Sequence, residues 1–238
     1  MHRFFASRLD GCRALLPPEE EAHARKVLRL KAGDECQALL DGEIYAAQVA
    51  EVSPHMILEL QNALPTTEPS VRVTLYQGVP KGDKMDYIVQ KCTEAGISRI
   101  VPVQFSRCVA RWDKKVEEKK RSRLLRIAAE AAKQSGRAAV PTIGETLTAA
   151  QLCRALPAHS LALVPWEEQR TGSIAAQLSG QTDIALIIGP EGGIDPAEIR
   201  ELTEAGARPV TLGRRIFRTE TAGLAALIAL MTLTGNLE

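Results

Sequence analysis

The chain lacks any hydrophobic run near the roughly 18 residues that a membrane-spanning helix needs. Its first residues, Met1-His2-Arg3-Phe4-Phe5, also lack the long apolar stretch of a secretory signal, so the expectation is a cytoplasmic protein with no membrane partner. Cysteines are few and unpaired in pattern. Cys12, Cys36, Cys92, Cys108 and Cys153 are odd in number and never spaced Cys-x-x-Cys, which argues against a disulfide framework or a zinc knuckle. His2, His23, His55 and His159 are equally dispersed, none at ligand spacing from another His or Cys, so no metal is expected. Charge of one sign is missing too: the net formal charge is +1, and contact with nucleic acid has to come from local clusters. What remains is an ordinary globular balance, 45% hydrophobic and 25% charged over 238 residues, enough to bury a real core.

Two textures divide the chain. From about Arg29 to Leu60 the apolar residues alternate in short runs, with Asp41-Gly42 at a dipeptide that suits a two-residue hairpin, which predicts a small β-rich unit. Asn62 to Ser70, with Pro65 and Pro69 among threonines, has linker composition, and the boundary falls there: a first domain over residues 1–68 and a second over 71–238.

The second part alternates strands and helices. Val71 to Gln77 reads as a strand, and a helix follows with Met85, Ile88, Val89 and Cys92 on one face, Asp83 as N-cap and Gly96 as terminator. Then come a strand at Ile100–Phe105, a long helix from about Lys114 to Gln134, a short helix near Ala149–Leu156, a strand at Leu161–Val164 and a helix near Ile174–Leu178. This order implies an α/β fold with a mostly parallel sheet covered on both faces, which the wholly apolar strand Ile184–Ile188 also suits.

That strand runs into Gly189-Pro190-Glu191-Gly192-Gly193, and Asp195, Pro196 and Glu198 then open a helix with the pattern of a capping box. A glycine loop between strand end and helix start lets backbone approach a ligand, as in the crevices of open α/β sheets; a tight turn needing positive φ is the alternative. It matches neither the P-loop nor the dinucleotide fingerprint, so phosphate is not specifically indicated. Downstream, Val210-Thr211-Leu212-Gly213 ends another strand and Arg214-Arg215-Ile216-Phe217-Arg218-Thr219-Glu220-Thr221 precedes a final helix, Ala222 to about Leu233, that is apolar nearly all round. Such a helix belongs in a core or a subunit interface. Three arginines and a glutamate before it are either paired, facing a ligand, or simply solvated.

Together these segments resemble the RsmE family, the small-subunit ribosomal RNA uridine-N3 methyltransferases of the SPOUT superfamily. The resemblance rests on Gly189–Gly193, Leu212-Gly213 and Ile216–Ala222, with support from Met85–Glu94, Glu130–Arg137 and His23–Asp34, and so covers almost the whole chain. Phe217 and Ala95 stand where the family pattern has leucine, which leaves the polar positions intact. The resemblance implies a PUA-like N-terminal β-barrel that binds RNA, a knotted SPOUT-type parallel-sheet domain whose last helix threads a C-terminal trefoil knot, and a homodimer. A knot is the topology that general folding rules would reject. It implies S-adenosyl-L-methionine as cofactor and small-subunit ribosomal RNA, or the assembling subunit, as partner.

The cofactor site is then expected at Val164, Pro165 and Trp166, at Gly189, Pro190, Glu191, Gly192 and Gly193, and at Leu212, Gly213, Arg214, Ile216 and Thr219. Arg218 is the candidate cation for charge developing on the uridine carbonyls; Glu191 or Glu220 is a proton acceptor, or else holds Arg218 or the cofactor. Arg25, Arg29, Lys31, Lys81, Lys84, Arg107 and Arg137 are the candidate RNA contacts, though basic runs such as Arg107 to Arg126 are as readily solvated helix faces. Two rivals stand beside this reading: a methyltransferase acting on another RNA, and a non-catalytic RNA-binding ribosome-assembly protein, which would leave the glycine and arginine loops without a purpose. A nicotinamide oxidoreductase fits poorly, because Gly78-Val79-Pro80-Lys81-Gly82 after the first strand is not its fingerprint.

Overall fold

The computed structural model describes residues 1–40 and 42–237 and divides into two compact units, one of residues 1–68 with 132–139, the other of 69–131 with the remainder from 140. The first unit carries β1 (Arg3–Phe5), β2 (Ser7–Arg8), β3 (Arg13–Leu15), α1 (Pro18–His23), β4 (Glu35–Leu40), β5 (Glu43–Glu51) and β6 (Ile57–Leu64). Its sheet runs β1-β4-β5-β6-β3-β2. The two edges, β1 and β2, are separated only by Ala6, so a single extended stretch supplies both and the sheet curls into a half-barrel. Register shifts in β5 at Tyr45/Ala47 and Val49/Glu51 add to the bend.

Alternation fills this unit. Cys36, Ala38 and Leu40 of β4 point inward with Phe4, Val49, Met56 and Leu58, while Leu39 and Ile44 of the opposite face pack on Ala138. Gly42, at φ +88, makes the β4–β5 turn; its expected companion Asp41 lies outside the described residues. The three N-terminal strands are too short to show a period in sequence and were not expected. The expected linker needs correction as well: Asn62 to Leu64 continue β6, and Glu68 is anchored. Its carboxylate meets the Arg137 guanidinium at 2.5 Å and accepts from the backbone N–H groups of Ala138 and Ala139 at 2.8 and 3.1 Å.

The second unit holds β7 (Arg72–Gly78), α2 (Lys84–Glu94), β8 (Arg99–Gln104), α3 (Lys114–Ser135), β9 (Thr142–Ile143), β10 (Leu147–Thr148), α4 (Ala149–Ala155), β11 (Leu161–Pro165), β12 (Asp183–Ile188), α5 (Pro196–Glu204), β13 (Ala207–Val210) and α6 (Thr219–Leu233); the last turn of α3 clusters with the first unit. All strand pairs are parallel, in the order β10-β8-β7-β12-β11-β13 with β9 beside β8. Strand β12 is buried on both faces. Ile184, Leu186 and Ile188 join Met85, Ile88, Leu124, Ala226 and Leu227 on the side of α2, α3 and α6, whereas Ala185 and Ile187 join Leu152, Ile199 and Leu202 on the side of α4 and α5.

Local chemistry explains some helix ends. Gly96, at φ +94, follows α2, and Asp195 and Glu198 complete the capping box of α5. Asp83 occupies the N-cap position of α2 without capping it and instead faces Lys120 at 3.8 Å. Two expectations are corrected. The helix near Ile174–Leu178 is only a 3-10 turn over Ala175–Gln177, and α6 begins three residues early, at Thr219.

Breaking a buried ion pair leaves one charge uncompensated. Arg137, whose side chain is 6% exposed, holds Glu68 in this way. Arg137→Ala is expected to destabilise the first unit by about 3 kcal/mol, read from urea unfolding followed by circular dichroism.

Candidate active site at the C-terminal ends of the parallel strands

Strands β7, β11, β12 and β13 end at the same edge of the sheet, where open α/β folds form their ligand crevices. The glycine loop leaves β12 there as a tight turn in which Gly193, at φ +71, donates to the Pro190 carbonyl at 3.0 Å. Close approach demands glycine twice more. A Cβ on Gly78 at the end of β7 would stand 2.5 Å from the Pro190 nitrogen, and one on Gly189 would stand 2.9 Å from Ile194. The loop is also braced from behind: Arg107 donates to the Gly192 carbonyl at 3.4 Å and pairs with Asp195 at 3.0 Å. Glu198 accepts from the N–H and hydroxyl of Ser106, both at 2.8 Å.

Three loops enclose a cleft at this edge. Pro165, Trp166, Glu167 and Arg170 come from the β11 loop, Gly189, Pro190, Gly193 and Ile194 from the glycine loop, and Thr211 to Phe217 with Thr219 and Ala222 from the β13 loop and the start of α6. The β11 and β13 loops are tied together, since Trp166 donates to the Val210 carbonyl at 3.1 Å and Thr211 to that of Gly172 at 3.0 Å. Gly213, at φ +100, turns the last loop back over the cleft. Beneath it Thr219 donates its hydroxyl to the Gly189 carbonyl at 2.6 Å and accepts from the buried amide of Gln77 at 2.9 Å.

A second pocket adjoins the first. Lys84, Glu191, Arg218 and Glu220 line it, and Glu167, Pro190, Gly193, Ile216, Phe217 and Thr219 border both. Lys84 is 3.1 Å from a carboxylate oxygen of Glu191 and 3.1 Å from one of Glu220, and so joins the glycine loop to the first turn of α6. Partial burial opposes ionisation of Glu191, yet its own and the Lys81 backbone N–H groups, with Lys84, hold its pKa below the usual range. For Glu220 the backbone N–H at the helix start and then Lys84 do the same, and Lys84 in turn is raised by Glu220 and Glu191.

A model of an RNA methyltransferase domain matches residues 67–231, and a model of an RNA methyltransferase PUA domain matches residues 16–58. Ribosomal RNA small subunit methyltransferase E of Bacillus subtilis is 35% identical over 89% of this chain and 87% of that protein. The chain belongs to the ribosomal RNA small subunit methyltransferase E family. The protein of that name from Mycobacterium bovis is also 35% identical, over 95% of this chain and 88% of its own length. Among solved structures, this family's member from Neisseria gonorrhoeae bound to S-adenosyl methionine superimposes with a TM-score of 0.80 at 32% identity, covering 98% of each chain. A putative methyltransferase from Legionella pneumophila, in complex with bound cofactor SAM, gives 0.80 at 29% identity over 97% of this chain and 96% of that one. An α/β parallel-sheet domain with a separate PUA-like half-barrel is thus the family architecture here.

In this family member the expected site residues separate. Pro165, Trp166, Gly189, Pro190, Gly193, Leu212, Gly213, Arg214, Ile216 and Thr219 line the first cleft. Three do not. Val164 is fully buried against Ala162 and Ile187, because strand alternation turns it into the sheet; Glu191 lines the second pocket; and Gly192 backs onto Arg107. Arg214, Arg215 and Arg218 are exposed, so their burial cost does not arise, and no ion pair joins Arg218 to Glu191 or Glu220, which pair with Lys84.

Several expected RNA contacts have intramolecular partners. Arg137 is buried on Glu68, Arg107 braces the glycine loop, Lys84 clamps two carboxylates, and Arg25 is drawn to Glu21 at 2.7 Å and to the Pro54 carbonyl at 3.0 Å. Arg29, held at φ 57, is exposed, as are Lys31 and Lys81. Sequence reasoning missed Gln77 and Glu167. The first stands one residue before the end of β7 and the second two residues beyond the end of β11; each position, at the C-terminal end of a parallel strand, is a signal in an open α/β sheet.

Because the folded state lowers both glutamate pKa values, the stability that the Lys84 clamp contributes is complete above the ordinary glutamate range and is lost as pH falls through the lowered values. Lys84→Met should raise the pKa of both Glu191 and Glu220 in carbon-13 NMR titrations. Unchanged titration curves would mean that the backbone donors alone set them.

Proposed function

We propose that the chain transfers a methyl group from S-adenosyl-L-methionine to N3 of a uridine in small-subunit ribosomal RNA. The observation that carries this reading is a glycine-turn cleft sharing a wall with a second, charged pocket, one suited to the methyl donor and the other to a base. The residues fit the donor. Gly189 and Gly193 let the loop turn tightly against Ile194 and Glu167, and the cleft offers apolar walls from Trp166, Ile188, Ile194 and Leu212 for an adenine ring. When bound, S-adenosyl-L-methionine supplies an electrophilic methyl group on a sulfonium.

The neutral N3 of uridine is a poor nucleophile because its lone pair is delocalised into two flanking carbonyls. Arg218, exposed in the second pocket, is placed to donate to a carbonyl oxygen as negative charge develops there. Glu191 and Glu220 are weakened as proton acceptors by Lys84, and their work is to hold the glycine loop against α6. Phe217, 39% exposed on the shared wall, offers a face for the base to stack on. Calorimetry should show S-adenosylmethionine binding, and Arg218→Ala should keep that affinity while lowering the single-turnover rate about a hundredfold. Loss of affinity in step with rate would reassign Arg218 to binding, and absence of cofactor binding to the wild-type protein would favour a non-catalytic assembly role.

The finer architecture belongs to the same proposal. Residues 1–68 form an RNA-binding domain that presents Arg29 and Lys31, residues 71–238 form the catalytic domain, and the cytoplasm is the site of action. The segment after β13 has to pass β11 before α6 reaches β12 and β7, a path that suits the expected trefoil knot. Helix α6 leaves Ile228 43% and Leu233 49% exposed, an apolar surface suited to a second copy of the chain. Sedimentation at micromolar concentration should therefore give a homodimer; a monomer would remove that assignment.

A further inference from the structure

We propose that Glu167 is the catalytic residue that takes the proton from N3, an assignment that rests on the uridine-N3 reading above. The chemistry fixes where such a group must stand. The imide proton lies in the plane of the uracil ring, and the methyl carbon has to arrive along that same direction, because the lone pair released by deprotonation points where the proton was. Deprotonation therefore precedes transfer, and the acceptor has to reach the edge of the base that faces the methyl donor. That edge is the boundary between the two clefts.

Glu167 is the carboxylate at that boundary. It follows Trp166 just beyond β11 and lines both the cofactor cleft and the second pocket, whereas Glu191 and Glu220 line the second pocket alone. Its freedom differs as well. Glu191 and Glu220 share the ammonium of Lys84, and Glu191 also accepts the Lys81 N–H at 3.0 Å. The Glu167 side chain is exposed and, among the described residues, makes no hydrogen bond or ion pair. Room is kept for it: Glu167 Oε1 occupies the space that a Cβ on Gly193 would need, so the carboxylate rests against the turn of the glycine loop.

The step balances without a further reactant. The N3–H bond breaks, the proton forms an O–H bond on Glu167, and the electron pair stays on N3 as an imide anion whose carbonyl charge Arg218 meets. N3 then bonds to the methyl carbon as the carbon–sulfur bond breaks, its pair remaining on sulfur as a neutral thioether. Exposure lets Glu167 return the proton to water.

Glu167→Gln preserves shape and removes the acceptor. With RNA and S-adenosylmethionine saturating, the expected result is a single-turnover rate lower by about a hundredfold or more, with calorimetric affinity for S-adenosylmethionine and melting temperature unchanged. Glu167→Asp, which keeps a carboxylate one methylene shorter, should fall between. A wild-type rate in Glu167→Gln overturns the assignment, as does a rate loss matched by lost cofactor affinity, which would make Glu167 a cofactor ligand. A larger rate loss in Glu191→Gln or Glu220→Gln, at unchanged melting temperature, moves the role to that residue. Mapping the methylated atom in the wild-type product separates the two levels of failure. A methyl group away from uridine N3 sinks the functional reading and this assignment together, whereas N3 methylation at full rate by Glu167→Gln sinks this assignment alone.

Discussion

Gln77, Thr219 and the Gly189 carbonyl form a buried line of hydrogen bonds on which the cleft depends. The Gln77 amide, with no exposed surface, donates to Thr219, whose hydroxyl donates onward to Gly189. Three elements are thereby held in one register: the end of β7, the loop leaving β12 and the first turn of α6. Gly78 tightens the same junction, because nothing larger fits between β7 and Pro190. The cost is visible at Gln77 Oε1, which is buried without a hydrogen-bond partner among the described residues. An unsatisfied buried acceptor is tolerated where the geometry it secures matters more than its own desolvation.

Charge is sorted around that junction. The ammonium of Lys84 gathers two carboxylates on the side of the second pocket, and Arg107 with Asp195 stiffens the far side of the glycine loop. The β13 loop behaves differently: Arg214, Arg215 and Arg218 stand exposed beside Ile216, which is 83% exposed. A rigid floor thus meets a rim of exposed cations and apolar side chains, the combination that a polyanionic partner bearing flat bases would engage.

What could be read from sequence was what is local. The capping box of α5 and the apolar run of β12 are written in consecutive residues, so spacing and composition were enough to find them. The start of α6 was misplaced for a physical reason. Its N-cap is Arg218, with no side-chain cap, and Thr219, which would ordinarily announce a helix start, spends its hydroxyl on Gly189 instead. Arg137 looked like a free cation at the end of a basic helix because its partner Glu68 lies 69 positions away. Strands β1 to β3, of two or three residues each, fall below the length at which a period exists. Within the site the glycines were legible, while the partners that give Gln77 and Glu167 their roles lie far off in sequence.

The bond between Gln77 and Thr219 joins residues 142 positions apart. Contacts so distant form late, since the loop they close must lose its entropy before the contact can compensate. The half-barrel takes its strands from the first 64 residues and its remaining segment from 132–139, so it can assemble while the chain beyond residue 139 is still emerging. The cleft cannot, because its floor is missing until α6 has docked against β7 and β12. A nascent chain therefore passes through a stage at which one unit is already folded and the methyl-donor cleft does not yet exist.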